Sequence, residues 1–355
     1  MSQSPKDLVR EEVLALSAYH VGDAAGMVKL DAMENPYALP QELQREIAGV
    51  AAGAALNRYP NPRAPELTAR LRQTMAIPAA CDIMLGNGSD ELIHIMVQAL
   101  ARPAAVVLAP EPTFVMYGVY ARLNRMRYVG VPLAPDFSLD CTRFLAAIEE
   151  HQPALTFIAY PNNPSGNLFA DTDVLRILQA SRGVVVLDEA YYAFARSSFM
   201  QRLTQHPNLI VMRTLSKSGM AGLRLGYAAG SPAWMREFDK VRPPYNVNVL
   251  TQRVAERLLA HAGVLEQQAA AIRGERGRIE AELARMDGVT VFASDANFLL
   301  ARVPDAIRVF GGMKQRGVLI KILHGSHPLL AQCLRITVGT AEENTQCLAA
   351  LRASL

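Results

Sequence analysis

Between about Pro60 and Gly230, short apolar runs alternate with longer stretches in which apolar residues recur every three to four positions. The runs Asp82 to Leu85, Ala105 to Ala109, Ala154 to Ala159, Gly183 to Leu187, Leu209 to Arg213 and Leu225 to Ala229 predict strands. From Asp90 to Ala101, the residues Leu92, Ile93, Met96, Ala99 and Leu100 fall at helical spacing, and Pro103 closes the segment. Strands alternating with helices in this way predict a mostly parallel sheet flanked by helices. Past Val241 the pattern changes. Arg242-Pro243-Pro244 breaks the chain, and a long helix is expected from Asn248 to about Met286. Strands Val289 to Phe292 and Asn297 to Val303, a helix Asp305 to Arg316, strands Val318 to Ile322 and Cys333 to Val338, and a final helix should follow. The expected architecture is α/β: a large domain over residues 31–265 and a smaller α+β domain built from 1–30 and 266–355.

Each early strand runs into a polar or glycine-bearing loop: GNGSDE, PEPTF, YPNNPSG, DEAYY and TLSKSG. Ligands in open α/β sheets collect at the carboxyl ends of the strands, so five such loops on one rim would make one site. Asp188 ends the run Val184-Val185-Val186-Leu187, a costly place for an unpaired carboxylate. Taken alone, it reads as well as a helix cap or an arginine's partner. Lys217 follows 29 residues later in Ser216-Lys217-Ser218-Gly219, an interval that accommodates a crossover and a strand. Six lysines stand against 30 arginines, and a lysine in a small-residue turn at a sheet rim is open to desolvation, which makes its amine nucleophilic. Amine and carboxylate together match what pyridoxal phosphate requires, one for its aldehyde and the other for its ring nitrogen. Gly86-Asn87-Gly88-Ser89-Asp90, between strand and helix, can cradle a phosphate on backbone amides and the Ser89 hydroxyl, with Ser216 and Arg224 completing it. It lacks both the GxGxxG spacing and a P-loop lysine, which argues against dinucleotides and nucleoside triphosphates.

Composition narrows the partners. A formal charge of +3 on 36 basic and 33 acidic residues supports neither nucleic-acid nor anionic-membrane binding. Arg122, Arg125, Arg127 and Arg273, Arg276, Arg278 read as solvated helix faces. Cys81, Cys141, Cys333 and Cys347 form no CxxC pair, and His324 and His327 sit in a turn-like sequence, so no metal site is expected. The first residues carry no apolar signal core and no stretch is long enough to span a membrane, which favours the cytoplasm.

GNGSDEL, PTF, YPNNPSGN, VVVLDEAYYAF and TLSKSGMAGLRLGY, in this order, resemble the class II branch of the fold-type I pyridoxal-phosphate aminotransferases over essentially the whole chain. KLDAMENPY, NRYP and CLRITVGT resemble the histidinol-phosphate aminotransferase subgroup. The resemblance implies that Lys217 holds the cofactor aldehyde as a Schiff base and later moves a proton, and that Asp188 holds the ring nitrogen. Asn163 and Tyr191 would contact the phenolic oxygen, and Phe114 would stack on the ring. Gly88, Ser89, Asp90, Ser216 and Arg224 would surround the phosphate, with Tyr59 reaching in from the second subunit of a homodimer. Phe114 and Tyr191 remain readable as core aromatics, and Tyr59 as a turn residue beside Pro60. Tyr19, Asn35, Lys321 and Arg335 are the implied substrate contacts, for histidinol phosphate and for glutamate or 2-oxoglutarate. Lys321 stands where the family often has arginine, Met33 where many relatives have asparagine, and the interval from Lys217 to Arg224 is one residue short. An aromatic amino-acid aminotransferase and a threonine-phosphate decarboxylase are the alternatives within the fold. A non-catalytic sensor is the alternative outside it.

Overall fold

The structure, a computed structural model, describes residues 4–18 and 22–355. Its strands are β1 (Val28–Leu30), β2 (Asp82–Gly86), β3 (Val106–Glu111), β4 (Arg127–Pro132), β5 (Leu155–Ala159), β6 (Val184–Asp188), β7 (Leu209–Thr214), β8 (Gly226–Gly230), β9 (Thr290–Phe292), β10 (Phe298–Arg302), β11 (Val318–Ile322) and β12 (Cys333–Thr337). They form a seven-stranded sheet in the order β2-β8-β7-β6-β5-β3-β4 and a five-stranded sheet in the order β1-β11-β12-β10-β9. The α/β class and the mostly parallel large sheet are as the sequence pattern predicts. In that sheet β8 alone runs against its neighbours, β2 and β7. Two short 3₁₀ turns, Ser216–Ser218 and Ala221–Leu223, join β7 to β8, a connection short enough for antiparallel neighbours.

Helices cover both faces of the large sheet, so its central strands β5, β6 and β7 are buried at every position and sort their side chains by alternation. Val185, Leu187 and Val211 enter one core, whereas Val184, Val186, Ile210 and Met212 enter the other. A third core lies beneath the five-stranded sheet, where Phe298, Ile320 and Ile336 pack with Leu348 and Leu351. The carboxyl ends of β2, β3, β5, β6 and β7 share one rim, and all five polar loops emerge there.

Several elements depart from the sequence pattern. β4 is an edge strand carrying Gly130 and Pro132, a composition that an edge tolerates and that hides it in sequence. β1 is three residues long, too short for a period, and is defined by its parallel pairing with β11. The long helix is two, Val249–Ala260 and Ala262–Leu283, separated at His261 (φ −105°, ψ 34°), and the second runs through position 265. Arg122, Arg125 and Arg127 do not share a helix face. Arg122 lies in the last turn of the helix Met116–Leu123, Arg125 occupies a left-handed turn (φ 56°) and Arg127 opens β4. Arg273, Arg276 and Arg278 do share a helix, yet they clamp it to its surroundings by donating to the carbonyls of Ala193, Ala296 and Ala341. Among the described residues no helix is long and apolar enough to cross a membrane, and no group of three His, Cys, Asp or Glu is placed to hold a metal ion. His324 and His327 instead accept backbone N–H bonds from Gln332 and Leu329.

Candidate active site

The rim encloses a pocket of about 590 Å³, including its open mouth, lined by Ser89, Asp90, Phe114, Asn163, Asp188, Tyr191, Ser216, Lys217 and Arg224 together with Met33, Ala159, Ala190 and Thr214. Nine of the expected residues thus meet in one cavity.

Asp188 closes β6 and is buried. Its Oδ1 accepts from the Ala190 N–H at 3.1 Å and its Oδ2 from the Tyr117 hydroxyl at 2.7 Å. The neighbouring carboxylate, Glu189, is the arginine's partner: Arg213 donates to it through Nε at 2.9 Å and Nη2 at 2.7 Å inside the core. Burial pushes the Asp188 carboxyl up to about 6, against the lowering influence of the Tyr117 and Ala190 donors.

Lys217 lies in the single 3₁₀ turn Ser216–Ser218, which Gly219 ends at φ 97°. Its Nζ donates to the Ala32 carbonyl at 3.1 Å. Burial, and then the positive charge of Arg335, lower its amine to about 8. At pH 7 roughly a tenth of such an amine is neutral, against roughly one part in three thousand at the ordinary lysine value. Nucleophile and carboxylate therefore line the same cavity with proton affinities displaced toward neutrality from opposite sides.

The cradle is built at the N-terminus of the helix Gly88–Leu100. Glu91 accepts from the Asn87 N–H and the Asn246 amide, each at 2.7 Å, and so fixes the turn from strand to helix. Gly88 has φ +77°, and a Cβ there would sit 3.1 Å from Arg224 Nη2. On Gly226 a Cβ would lie 2.8 Å from the Gly88 carbonyl carbon, so both positions need glycine for β8 and the helix start to meet. Ser216 Oγ bonds Thr214 Oγ1 at 2.9 Å and accepts from Arg224 Nη1 at 3.5 Å, while Arg224 Nη2 stands 4.0 Å from Asp90 Oδ2. Asp90 Oδ1 is buried with no hydrogen-bond partner among the described residues, and burial raises this carboxyl. Open amides at a helix start, two hydroxyls and a guanidinium fit a phosphate group.

Across the pocket, Asn163 is held in a loop that Asn162 braces by bonding Thr113, Pro112 and Ser165. Asn163 Oδ1 accepts from Arg335 Nη1 at 2.6 Å, and Arg335 Nη2 donates to the Asp31 carbonyl at 3.0 Å. Arg335 pairs in register with Lys321 across β12 and β11, which places two cations side by side. Tyr191 packs edge-on against Phe298 at 5.1 Å and donates to Met33 Sδ at 3.2 Å. Two expected residues are placed elsewhere. Asn35 spends its amide on Gln268 Oε1 and the Tyr37 N–H, outside the pocket lining. Tyr59 is 81% exposed and stacks on Tyr245 at 4.5 Å. Tyr19 lies outside the described residues.

Met33, Thr214 and Tyr117 were not anticipated as site residues. Met33 is held at φ 55°, a left-handed conformation that favours asparagine and glycine, and this is a signal that sequence alone does not display. Tyr117 carries no local mark, because its partner is 71 residues away.

The family described as aminotransferase class I and II matches residues 25–351. Histidinol-phosphate aminotransferase 1 of Burkholderia lata is 53% identical over 353 residues, covering 99% of each chain. Histidinol-phosphate aminotransferase of Chromobacterium violaceum is 54% identical over 352 residues, again covering 99% of each. The crystal structure of histidinol-phosphate aminotransferase from Sinorhizobium meliloti in complex with pyridoxal-5'-phosphate superposes with a TM-score of 0.87 at 25% identity, covering 98% of this chain and 97% of that one. The structure of L-threonine-O-3-phosphate decarboxylase from Porphyromonas gingivalis superposes at 0.79 with 22% identity, a likeness of fold alone.

Proposed function

The chain belongs to the class I and II aminotransferases, and on that premise we propose that it uses pyridoxal phosphate to transfer the amino group of L-histidinol phosphate to 2-oxoglutarate. The products are imidazole-acetol phosphate and L-glutamate, and the reaction belongs to L-histidine biosynthesis. The observation that carries this reading is the Lys217 amine, desolvated to about 8, in one cavity with the Asp188 carboxyl and a glycine-built anion cradle.

When bound, the cofactor supplies an electrophilic aldehyde and a ring that takes up electrons from the substrate's α-carbon. Lys217 Nζ would provide the amine that holds it and, once released, would move the proton at the substrate's α-carbon. Asp188 would pair with the ring nitrogen and hold the proton there. Phe114 stacks on the ring, while Asn163 and Tyr191 donate to its phenolic oxygen. Ser89, Ser216, Arg224 and the amides from Gly88 to Asp90 bind the phosphate. Arg335, braced by Asn163 and Asp31, receives the substrate's anionic group, with Lys321 beside it as a point charge. One site of this kind accepts phosphate and carboxylate alternately, as a ping-pong route requires.

The proposed assembly is a homodimer. Leu56, Tyr59, Tyr245 and Leu250 leave apolar surface exposed around one cleft, an arrangement suited to a second copy. In that dimer Tyr59 reaches the partner's cradle, and Asn35 and Tyr19 complete the substrate side. The proposed compartment is the cytoplasm, where the four free cysteines stay reduced. Assay of the purified enzyme with histidinol phosphate, phenylalanine and threonine phosphate tests the assignment. Turnover of the first with 2-oxoglutarate is expected; turnover of threonine phosphate alone, with release of carbon dioxide, overturns it.

A further inference from the structure

Asp188 takes one of its two hydrogen bonds from a side chain outside the pocket lining. Tyr117 is fully buried on the helix Met116–Leu123. Its ring lies flat on Phe157 (4.5 Å, 2°) and edge-on to Phe114 (5.6 Å, 82°), so the phenol has little freedom to turn away. The hydroxyl donates to Asp188 Oδ2 at 2.7 Å, and the Ala190 N–H donates to Oδ1 at 3.1 Å. One donor on each oxygen fixes the plane of the carboxyl and leaves acceptor capacity on both atoms for a third donor. The phenyl ring alone would fill the same space; only the hydroxyl makes the contact.

We propose that Tyr117 is a positioning residue for the cofactor's ring nitrogen. It holds the Asp188 carboxyl in one orientation and supplies the donor that favours its ionised form, the form able to pair with a protonated ring. This rests on the reading of Asp188 as the ring-nitrogen partner. Several groups bear on that carboxyl. Burial opposes its ionisation most, and the negative charges of Asp90, from the cradle helix, and Glu189, next on the chain, oppose it further. Tyr191, on the following loop, is coupled to the same carboxylate. Tyr117 and the Ala190 amide act the other way, and of the two only Tyr117 can be altered without touching the backbone. Phe114, the proposed stacking residue, lies three positions before Tyr117, so one short segment sets both the face and the edge of the ring site.

The test uses two variants with opposed signs. Tyr117→Phe keeps the ring packing and removes the donor, whereas 3-fluorotyrosine at position 117 makes a stronger donor of nearly the same shape. The Asp188 carboxyl is followed in the apoenzyme by isotope-edited infrared titration, with Asp188→Asn as the reference. The expected result is an upward shift of about one pH unit in Tyr117→Phe, from loss of a charge-assisted hydrogen bond, and a smaller downward shift with fluorotyrosine. In the holoenzyme, the pH midpoint of the lysine-bound cofactor's visible band should move in opposite directions in the two variants, and Tyr117→Phe should lower kcat more than it raises KM. An Asp188 titration that stays in place in both variants overturns the proposal. Should Tyr117→Phe fail to fold, the fluorotyrosine shift decides alone. A wild-type protein with no visible band on adding pyridoxal phosphate would overturn the cofactor reading instead, and Asp188 in the apoenzyme would still report on Tyr117.

Discussion

Two displaced proton affinities dominate the residue scale. Lys217 sits at about 8, below the ordinary lysine value, because burial and Arg335 disfavour its ammonium form. Incorporation of pyridoxal phosphate into the apoenzyme needs the neutral amine, so its rate should rise with pH through a midpoint near 8, as stopped-flow absorbance will read. Lys217→Ala should lose both transamination and borohydride-trapped label; label retained at another lysine would move the site. Asp188 is shifted the other way, to about 6 from 3.8. Its folded value lies above its unfolded one, so the neutral form imposes no penalty at low pH, and stability is lost as pH rises through 6 and the buried carboxylate charges. Apoenzyme carrying Asp188→Asn should therefore be more stable than wild type at pH 8, by on the order of 2–3 kcal/mol. That advantage should shrink between pH 6 and pH 4 in denaturant melts. Sequence revealed Lys217 and Asp188 because each breaks a local rule, a scarce lysine in a turn and a charge ending an apolar strand. It did not reveal Tyr117, whose role is a contact between β6 and a helix distant in sequence.

At the scale of elements, the cradle exists because β8 passes close beneath the start of the helix Gly88–Leu100. Gly88→Ala would force a positive φ on an L side chain and press on Arg224. We expect a fold that survives and a cofactor dissociation constant raised by about tenfold or more, as one to two kcal/mol of strain and a displaced guanidinium imply; equilibrium dialysis measures it. Behind the site, Arg213 of β7 and Glu189 after β6 form an ion pair 5% and 0% exposed. Glu189→Gln would leave the guanidinium buried beside a neutral partner and should destabilise the protein by about 3–5 kcal/mol, the range for breaking a buried pair, in chemical denaturation. The strands and their rim loops were legible because strands buried on both faces are written as unbroken apolar runs. β1, β4 and the break at His261 were not, since pairing with a neighbour and edge position define them more than period does.

At the scale of the whole molecule, the proposed dimer makes a prediction that no monomer shares. Tyr59 is exposed here and absent from its own chain's pocket. Mixing and refolding Lys217→Ala with Tyr59→Ala chains should recover up to about a quarter of wild-type activity, since half the dimers are hybrids and each hybrid rebuilds one complete site of two. No recovery from two weakened parents would show that Tyr59 acts within its own subunit. Sequence by itself determined the α/β class, the five loops on one rim, and the amine, carboxylate and cradle that belong together, since all of these follow from local period, turn chemistry and chain order. Tertiary structure decided which groups touch: Tyr117 on Asp188, Arg335 on Asn163, Met33 on Tyr191 and Glu189 on Arg213. These contacts join residues 24 to 172 positions apart, and their strength comes from desolvation, which exists only once the sheets and helices have closed around the charges.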